Sequence, residues 1–447
     1  METQTAIRWR ILWLLIFVSL VRSVDALNFS VAAKQIMPEY GFTTVQMGLL
    51  YTAFTAGYGL FHLPGGWLAD LFGPRRILAI AILWWSAFTG LTAVAGELSG
   101  LSTFLSPFWA FLLIRFCVGI GEGAAYPTTS KTVSNWMAPD ERGFASGLVW
   151  SGAGLGYAIA PPLVAWMMVG YGWRPVFFVL AVLGIVIAAV WYGVVRDRPD
   201  VHPQVNTQEL KKIYGNRESS TQGDQAVRHP PWRILLTDRN VVLLSVASFF
   251  LGYVAYIYQS WFYLYLVNVR GFAVVSGGLF AAGPFLAVTL LCPIGGFVSD
   301  ALTARYGSKT GRRGVALTCF FSSAVCMYLG AHAADPYLAV FLLSLGDGLV
   351  YASLGASWGA IIDISGVHTG AVYGIVGMFA NFGGMLAPTL TPMLAERYSW
   401  EIALHVAALL AAVAGLVWLA IDASKKLVLV GEPTPTPAGE TLVARNS

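Results

Sequence analysis

Charged residues are scarce in this chain. Asp, Glu, Lys and Arg make up only 11% of its 447 residues, whereas soluble domains carry about 25%. Hydrophobic residues supply 57% of the chain, in stretches too long and too numerous for one soluble core. The composition therefore excludes a soluble protein and predicts an all-α membrane protein.

The sequence also shows no pattern that is typical of a catalytic or cofactor site. It has only four cysteines, all inside apolar stretches and without metal-ligand spacing: Cys117, Cys292, Cys319 and Cys326. We expect them to pack in the core rather than to form disulfides. No nucleotide-binding loop and no set of catalytic residues stands out. We therefore expect no enzyme activity, no metal and no organic cofactor.

The apolar stretches predict twelve transmembrane helices, each near the roughly 20 residues that cross a bilayer. They cover residues 10–33, 44–68, 76–97, 104–131, 142–169, 173–195, 239–268, 273–301, 314–333, 336–363, 369–395 and 400–422. Lys and Arg concentrate on one side of this arrangement, which predicts cytoplasmic termini. The opposite loops hold only Lys34, Arg174, Arg270 and Arg397. The net charge of +4 follows from this bias and indicates no nucleic-acid partner, and the short loops favour a bacterial inner membrane.

The sequence divides into two similar halves. We predict an N-terminal six-helix bundle (1–195), a cytoplasmic linker (196–238) with a short surface helix near 207–214, a C-terminal six-helix bundle (239–424) and a cytoplasmic tail (425–447). Segment 64–70 recurs as 293–300, and segment 119–123 recurs as 344–348. Repeated halves with a site between them are typical of secondary transporters that work by alternating access, here as a functional monomer.

The first repeat predicts a gate at the cytoplasmic side. Its glycines let helix backbones approach closely, and each aspartate is followed by a basic cluster that it can pair with. The gate residues are Gly66, Asp70, Arg75, Arg76, Gly296 and Asp300. The alternative is that these are ordinary loop charges that obey the positive-inside rule.

Two charged residues interrupt the fourth apolar stretch. Arg115 and Glu122 are seven positions apart, so both side chains leave the same face of a helix. Placing one charge in mid-membrane costs about 3 kcal/mol on insertion scales. An arginine there suits an anion and a lone carboxylate suits a proton, although both could instead be structural partners of neighbouring helices.

Several motifs follow one another in a recognisable order, in segments 25–32, 48–54, 58–70, 115–127, 140–142, 151–152, 172–174, 202–203, 209–210 and 261–266. Together they resemble the major facilitator superfamily and, within it, the anion:cation symporter family of sugar-acid and organic-anion permeases, relatives of sialin and the vesicular glutamate transporters. The resemblance spans residues 10–422.

The resemblance implies roles for individual residues. Asp25 matches the aspartate of an Asp-Arg pair on the family's first helix. Arg115 matches the arginine that binds the substrate carboxylate, and Glu122 matches the glutamate linked to proton coupling. Three positions match residues that line the family's cavity: Tyr58, Trp358 and Asn381. We add Tyr256 and Gln259 as candidates to stack on a substrate ring or sugar face.

The chain departs from the family pattern at the Asp-Arg pair. Ala26 stands where the arginine is expected, but Arg22 lies one helical turn earlier on the same face. We expect that the positive charge was relocated and that Arg22 helps to bind the anion. Alternatively, Arg22 and Asp25 neutralise one another as a structural pair.

Two further positions stay open. His62 replaces a glutamine that is common in the family, and it is either a packing residue or a proton carrier. Asp347 has no counterpart assigned by the resemblance, and it is either a second coupling site or an acid near a wide cavity.

The sequence thus predicts a proton-coupled symporter that imports a small organic anion across a lipid bilayer. Glu122 and Asp25 would take up protons, and Arg115 with Arg22 would hold the anion. An exporter or exchanger on the same fold is the alternative. A transporter-like ligand sensor is a remote one, because the 43-residue linker and the short tail offer no large soluble domain.

Overall fold

The computed structural model of the chain describes residues 5–99, 106–138, 141–214, 232–365 and 369–427. All regular secondary structure within these ranges is helical. Part of the predicted linker (215–231), Asp140 of one family motif and most of the tail (428–447) lie outside the described residues.

Eight helices form the N-terminal half and coincide with the first six predicted spans. They are α1 (Ile7–Tyr40), α2 (Thr44–Phe72), α3 (Pro74–Thr92), α4 (Ala95–Ser99), α5 (Pro107–Gly123), α6 (Ala125–Trp136), α7 (Arg142–Tyr171) and α8 (Trp173–Val194). The predicted fourth span is divided between α5 and α6. Pro127 explains this break, because a proline supplies no N–H to the carbonyl group four residues earlier.

The remaining helices are two short ones in the linker region and six in the C-terminal half. They are α9 (Thr207–Tyr214), α10 (Trp232–Thr237), α11 (Arg239–Asn268), α12 (Val274–Ala281), α13 (Gly283–His332), α14 (Pro336–Ser365), α15 (Thr369–Arg397) and α16 (Trp400–Trp418). Helix α13 contains parts of two predicted spans. Gly307 separates them with a φ of 82°, a left-handed value that glycine adopts without steric cost.

Nine helical stretches in the described ranges are long and apolar enough to cross a membrane. One of them, Val274–His332, holds two of the predicted spans, and α2 and α3 coincide with two others. Every one of the twelve predicted spans therefore coincides with helix.

Glycines bring α2 and α5 into backbone contact. A Cβ atom on Gly119 would lie 2.1 Å from the carbonyl oxygen of Phe54, and one on Gly57 would lie 2.2 Å from that of Phe116. Only glycine fits at this crossing, as at other close helix pairs in membranes. The contact fixes α5, which carries Arg115 and Glu122, against the helix that carries Tyr58.

The two halves meet near the ends of α1 and α11, which we call the far end. There the Lys34 ammonium group donates to Asn268 at 2.5 Å. The Thr52 hydroxyl donates to the Met385 carbonyl at 2.9 Å, and a Cβ on Gly48 would lie 2.2 Å from the Pro388 carbonyl oxygen. The far end is therefore closed by tight contacts between the halves.

The opposite end, where α1 begins and α9 lies, we call the linker end. Among ion pairs whose partners are both described, each lies within one half, within the linker, or between the linker and the N-terminal half, and none joins the two halves. Trp150 and Trp358, with ring centroids 6.3 Å apart, are an aromatic contact between the halves on α7 and α14.

The linker helix α9 coincides with the predicted surface helix, but one of its residues is buried. Glu209 is fully buried and accepts hydrogen bonds from the backbone N–H groups of Ile7 and Arg8 at 3.2 and 3.0 Å. The Thr5 hydroxyl and the Arg8 guanidinium also donate to it. The linker therefore supplies an acidic cap for the start of α1, where helix N–H groups lack partners.

Candidate functional site

A buried ion pair joins α1 to α5 in the middle of the N-terminal half. The Arg22 guanidinium donates to Glu122 Oε2 at 3.0 Å. Arg22 is 3% exposed and Glu122 is 0% exposed. The second oxygen of Glu122 is buried and has no hydrogen-bond partner among the described residues. Two charges that depend on each other in this way resist separation, because either one alone would be a buried, uncompensated charge.

Two tyrosines also contact Arg22. One of its terminal nitrogens donates to the hydroxyl oxygens of Tyr126 at 2.9 Å and Tyr157 at 3.1 Å. The same guanidinium lies 4.4 Å from the centre of the Tyr126 ring, within the range of a cation–π interaction. The guanidinium is thus held at once by a carboxylate, two hydroxyls and an aromatic face.

Asp25 does not pair with Arg22. Its two carboxylate oxygens accept from the Asn28 amide and from the Thr89 hydroxyl, both at 2.8 Å. It is 3% exposed and has no described cation within ion-pair distance. The structural Arg22–Asp25 pair that the i,i+3 spacing left open is therefore not formed in this structure.

Arg115 is buried between two aromatic rings. Its guanidinium carbon lies 4.5 Å from the centre of the Phe29 ring and 4.6 Å from that of Phe54. Its Nε atom is buried without a hydrogen-bond partner, and no described acid pairs with it. Arg115 is thus a cation held by ring faces, whose capacity to donate hydrogen bonds to an anion is not used by the described residues.

Each candidate in the C-terminal half contacts another polar or aromatic side chain. The Tyr256 hydroxyl donates to Asn381 Oδ1 at 3.4 Å, and the Asn381 amide donates to the Gly377 carbonyl. Trp358 packs edge-on against Tyr373 as well as against Trp150 of the other half. Gln259 lies beside Tyr351 of α14.

Two further candidates lie on α2. Tyr58 stacks on Phe54, with ring centroids 6.3 Å apart, and its ring lies 5.7 Å from that of His62. The Phe54 ring in turn covers Arg115. Tyr58 and His62 are therefore linked to the arginine through one continuous set of rings.

Comparison with known proteins places this arrangement in a family. The model of the Major Facilitator Superfamily matches residues 13–309 and 298–445. The chain belongs to the Major Facilitator Superfamily. The predicted membrane fold and the predicted absence of an enzymatic role are thereby confirmed.

Relatives of this superfamily member match over almost its whole length. A probable sulfoacetate transporter of Cupriavidus necator is 33% identical, over 94% of this chain and 95% of the relative. A probable galactarate/D-glucarate transporter of Bacillus subtilis is 31% identical, over 88% of this chain and 85% of the relative. They confirm the resemblance to anion:cation symporters that the motifs indicated.

A solved structure supports the same fold. The crystal structure of a bacterial homologue of the human lysosomal transporter Spinster has a TM-score of 0.74 at 16% identity. The match covers 94% of this chain and 97% of that one. The likeness shows the fold of a superfamily member and no more.

The predicted gate residues lie at the linker end of this superfamily fold, but the partners of the first aspartate differ from those expected. Asp70 pairs with Lys131 of α6 at 2.6 Å, not with Arg75 or Arg76. Helix α2 ends at Phe72 and α3 starts at Pro74, so the chain turns between the acid and the arginines. Arg75 instead donates to the Tyr192 carbonyl oxygen at 2.7 Å, and Arg76 is exposed.

The second copy of the gate agrees more closely with the sequence pattern. Asp300 pairs with Arg312 at 2.5 Å, and Arg312 also contacts Asp363 at 3.3 Å. The neighbouring Gly296 lies where α13 and α14 touch, because a Cβ on Gly355 would be 2.3 Å from its Cα. In the first copy, a Cβ on Gly66 would lie 3.2 Å from the ring of Pro127.

Asp347 is buried apart from the Arg22–Glu122 pair, in the C-terminal half. It is 1% exposed, and its Oδ1 atom has no hydrogen-bond partner among the described residues. Tyr258, whose hydroxyl donates to the Leu343 carbonyl, lies nearby. The role of Asp347 as a second coupling site stays a prediction.

Sequence reasoning did not assign several residues that hold the charged groups. The Tyr157 hydroxyl accepts a hydrogen bond from Arg22, and the side chains of Asn28 and Thr89 donate to Asp25. Asn28 could have been found, because it lies one turn after Asp25 on the same helix. The other two come from different helices, and no local sequence signal marks them.

Proposed function

We propose that this superfamily member is a proton-coupled symporter that imports a small organic anion, with a carboxylate as the preferred group. The two relatives support the substrate class, since their names specify sulfoacetate and galactarate/D-glucarate. These are small anions with oxygen-rich acidic groups. The buried arginines supply the charge that such a substrate needs.

The observation that carries the proposal is the contact of Arg22 with both Glu122 and two tyrosine hydroxyls. A substrate carboxylate can accept from the guanidinium as Glu122 Oε2 does. The substrate and the ionised Glu122 therefore compete for one cation. Protonation of Glu122 removes its charge and weakens its hold on Arg22, which leaves the guanidinium free to bind the anion.

This competition alone couples the binding of the proton to the binding of the substrate. The anion binds best when Glu122 carries a proton, and by reciprocity the proton binds best when the anion is present. Loss of the proton restores the Arg22–Glu122 pair and displaces the anion. The positive-inside bias assigns the linker end to the cytoplasm, so release from the shape described here would deliver substrate inward.

In this proposal, Arg115 is a second binding group for the anion and Asp25 is a second group that takes up a proton. Arg115 has unused hydrogen-bond donors, and a carboxylate accepts two of them in parallel. Asp25 is a second acid that can take a proton. One proton per monoanion makes transport electroneutral, whereas a second proton adds roughly 2.3 kcal/mol per 100 mV of membrane potential.

The test begins with the substrate. A thermal-shift screen of the purified chain against sugar acids, aromatic acids, dicarboxylates and sulfoacetate identifies a ligand. Proteoliposomes then compare uptake driven by a pH gradient with counterflow, in which both sides hold substrate. We expect accumulation when the outside is acidic.

Glu122→Gln separates coupling from binding, because glutamine permanently resembles the protonated acid. The variant is expected to keep counterflow, since a loaded carrier need not lose its proton, and to lose accumulation against a gradient. Glu396→Gln, at an exposed position near the end of α15, is the matched control and keeps both activities.

Full pH-driven accumulation in Glu122→Gln would remove Glu122 from the coupling role and make Asp25 or Asp347 the leading candidate. Counterflow without accumulation in the wild-type chain, at any pH gradient, would identify an exchanger instead.

A further inference from the structure

Two of the chain's six histidines come together at the far end of the C-terminal half, away from the site described above. His332 is the last residue of α13, and His405 lies in the second turn of α16 with Glu401 one turn before it. Their rings stack at a centroid distance of 4.6 Å. Nothing in the transport proposal uses these three residues.

The Glu401 carboxylate lies close to one nitrogen of each imidazole ring. Its Oε1 atom is 3.0 Å from His332 Nε2 and 4.0 Å from His405 Nε2. One ligand atom from each of the three residues falls within 4.8 Å of the others. Zinc binds imidazole nitrogen and carboxylate oxygen at about 2.0–2.2 Å in a tetrahedron, which sets neighbouring ligand atoms roughly 3.3 Å apart. The two separations of Glu401 Oε1 from the imidazole nitrogens, 3.0 and 4.0 Å, lie on either side of that value.

The hydrogen bond on the other side of His332 supports the same chemistry. Its Nδ1 atom lies 3.0 Å from the Tyr328 carbonyl oxygen and 3.3 Å from His405 Nε2. A carbonyl only accepts, so the proton of a neutral His332 belongs on Nδ1 and the Nε2 lone pair faces Glu401. Histidines that ligate a metal typically donate their other N–H to a backbone carbonyl in this way.

We propose that His332, Glu401 and His405 form a binding site for a divalent transition-metal ion such as Zn²⁺, with water as a fourth ligand. The donor set of two imidazoles and one carboxylate suits zinc, whereas Mg²⁺ and Ca²⁺ prefer oxygen ligands. All three ligands belong to the C-terminal half. The ion would therefore tie the end of α13 to the start of α16 and would not join the two halves.

The experiment uses the full chain in detergent, purified without a polyhistidine tag and stripped with a chelator. Zn²⁺ is titrated by calorimetry and by thermal shift, with Mg²⁺ as the control ion. Co²⁺ serves as a spectroscopic probe, because its visible spectrum distinguishes nitrogen and oxygen ligands from the thiolates of the four free cysteines. We expect one saturable Zn²⁺ site per chain, a raised midpoint and a Co²⁺ spectrum without thiolate bands.

Single variants assign the site. We expect each of three variants to weaken Zn²⁺ binding: His332→Gln, His405→Gln and Glu401→Gln. Loss of a residue that only supports a metal ligand lowers the affinity by about 10- to 100-fold, so loss of a ligand itself should lower it by at least as much. His202→Gln, in the linker, is the matched control and keeps full affinity. The midpoint without metal shows that each variant is folded, and three independent variants keep the test decisive if one of them fails to fold.

Absence of saturable Zn²⁺ binding to the folded wild-type chain would overturn the proposal and leave a surface His332–Glu401 ion pair. Binding that persists unchanged in both histidine variants, or a Co²⁺ spectrum with thiolate bands, would equally overturn it by placing the metal elsewhere.

Discussion

The two buried arginines differ in what their guanidinium groups contact. Arg22 donates to a carboxylate and two tyrosine hydroxyls, whereas the guanidinium of Arg115 lies over the faces of Phe29 and Phe54 and has no ion-pair partner among the described residues. A cation over aromatic rings gains about 0.5–2 kcal/mol from each contact, which offsets only part of the cost of its burial. An incoming anion therefore gains most at Arg115, because no protein group has to be displaced there.

We predict that Arg115→Lys weakens substrate binding by roughly 10- to 100-fold, the equivalent of one lost charge-assisted hydrogen bond. Lysine keeps the charge but loses the planar fork and its stacking between two rings. The measurement is the dissociation constant of the ligand found by thermal shift, compared with the uptake KM. A variant that binds with wild-type affinity would place Arg115 outside the substrate site.

Moving the charge along α1 tests whether Arg22 replaces the arginine missing at Ala26. Side chains on a helix lean towards its N-terminus, so an arginine at position 26 points back towards position 22. Arg22→Asn combined with Ala26→Arg is therefore expected to recover more transport than Arg22→Asn alone. Uptake in proteoliposomes measures the recovery.

The single variant also needs a folding control, because it leaves Glu122 buried without its cation. If Arg22→Asn yields no folded protein and the double variant restores folding but not uptake, the arginine has a structural role only.

Local spacing indicated how some of these residues are placed and left the placement of others open. The seven-residue interval between Arg115 and Glu122 specified a shared helix face, which α5 provides. The partner of Arg22 could not be read in this way. An i,i+3 neighbour, Asp25, was available, but the pair that formed links residues 100 positions apart. Contacts between helices depend on packing, and one sequence does not specify it.

At the scale of whole helices, apolar length was a reliable signal and internal breaks were not. Each predicted span coincides with helix, but α5 gives way to α6 just before Pro127, and α12 gives way to α13 just before Pro284. Proline positions explain both breaks after the fact. Helix pairing was less predictable, since Asp70 forms an ion pair with Lys131, which lies 61 positions further along the chain.

The cap that α9 supplies to α1 is a contact between two helices that a single substitution can remove. We predict that Glu209→Ala lowers the free energy of unfolding by about 1–3 kcal/mol, because two N–H groups at the start of α1 lose their acceptor. Arg8 keeps its second partner, Glu141, so the helix should remain folded. The thermal midpoint of the purified protein measures the effect.

Glu396→Ala is the matched control for this change, since Glu396 is exposed and its removal should leave the midpoint within experimental error. Equal midpoints for Glu209→Ala and the control would mean that α9 does not stabilise the N-terminal half.

At the scale of the molecule, the similarity of the two halves of the sequence predicted a duplication of six helices, but no sequence pattern predicted the conformation. The same chain must close at either end in turn if transport proceeds by alternating access. Two such shapes differ by only a few kcal/mol, so residue patterns favour neither. In the structure, the far end is closed, through Lys34, Thr52 and Gly48 and their partners in the other half.

Gly48→Val is predicted to shift the protein away from this shape. A Cβ at position 48 would lie 2.2 Å from the Pro388 carbonyl oxygen, far inside van der Waals contact, and this backbone oxygen cannot move without its helix. The variant must separate α2 from α15 at the far end. Because only a few kcal/mol divide the two shapes, such a clash suffices to favour the one that opens there.

Labelling of a cysteine at Thr52 measures the shift, in a background without the four native cysteines. Thr52 is partly buried against Met385, so an impermeant maleimide applied from the far-end side should react slowly with the parent and faster after Gly48→Val. Uptake and counterflow should both fall, because each needs closure at that end. Gly170→Val is the control, since a Cβ there meets nothing within 4 Å. Unchanged labelling together with normal counterflow in Gly48→Val would mean that the contact between α2 and α15 at Gly48 takes no part in closing the far end.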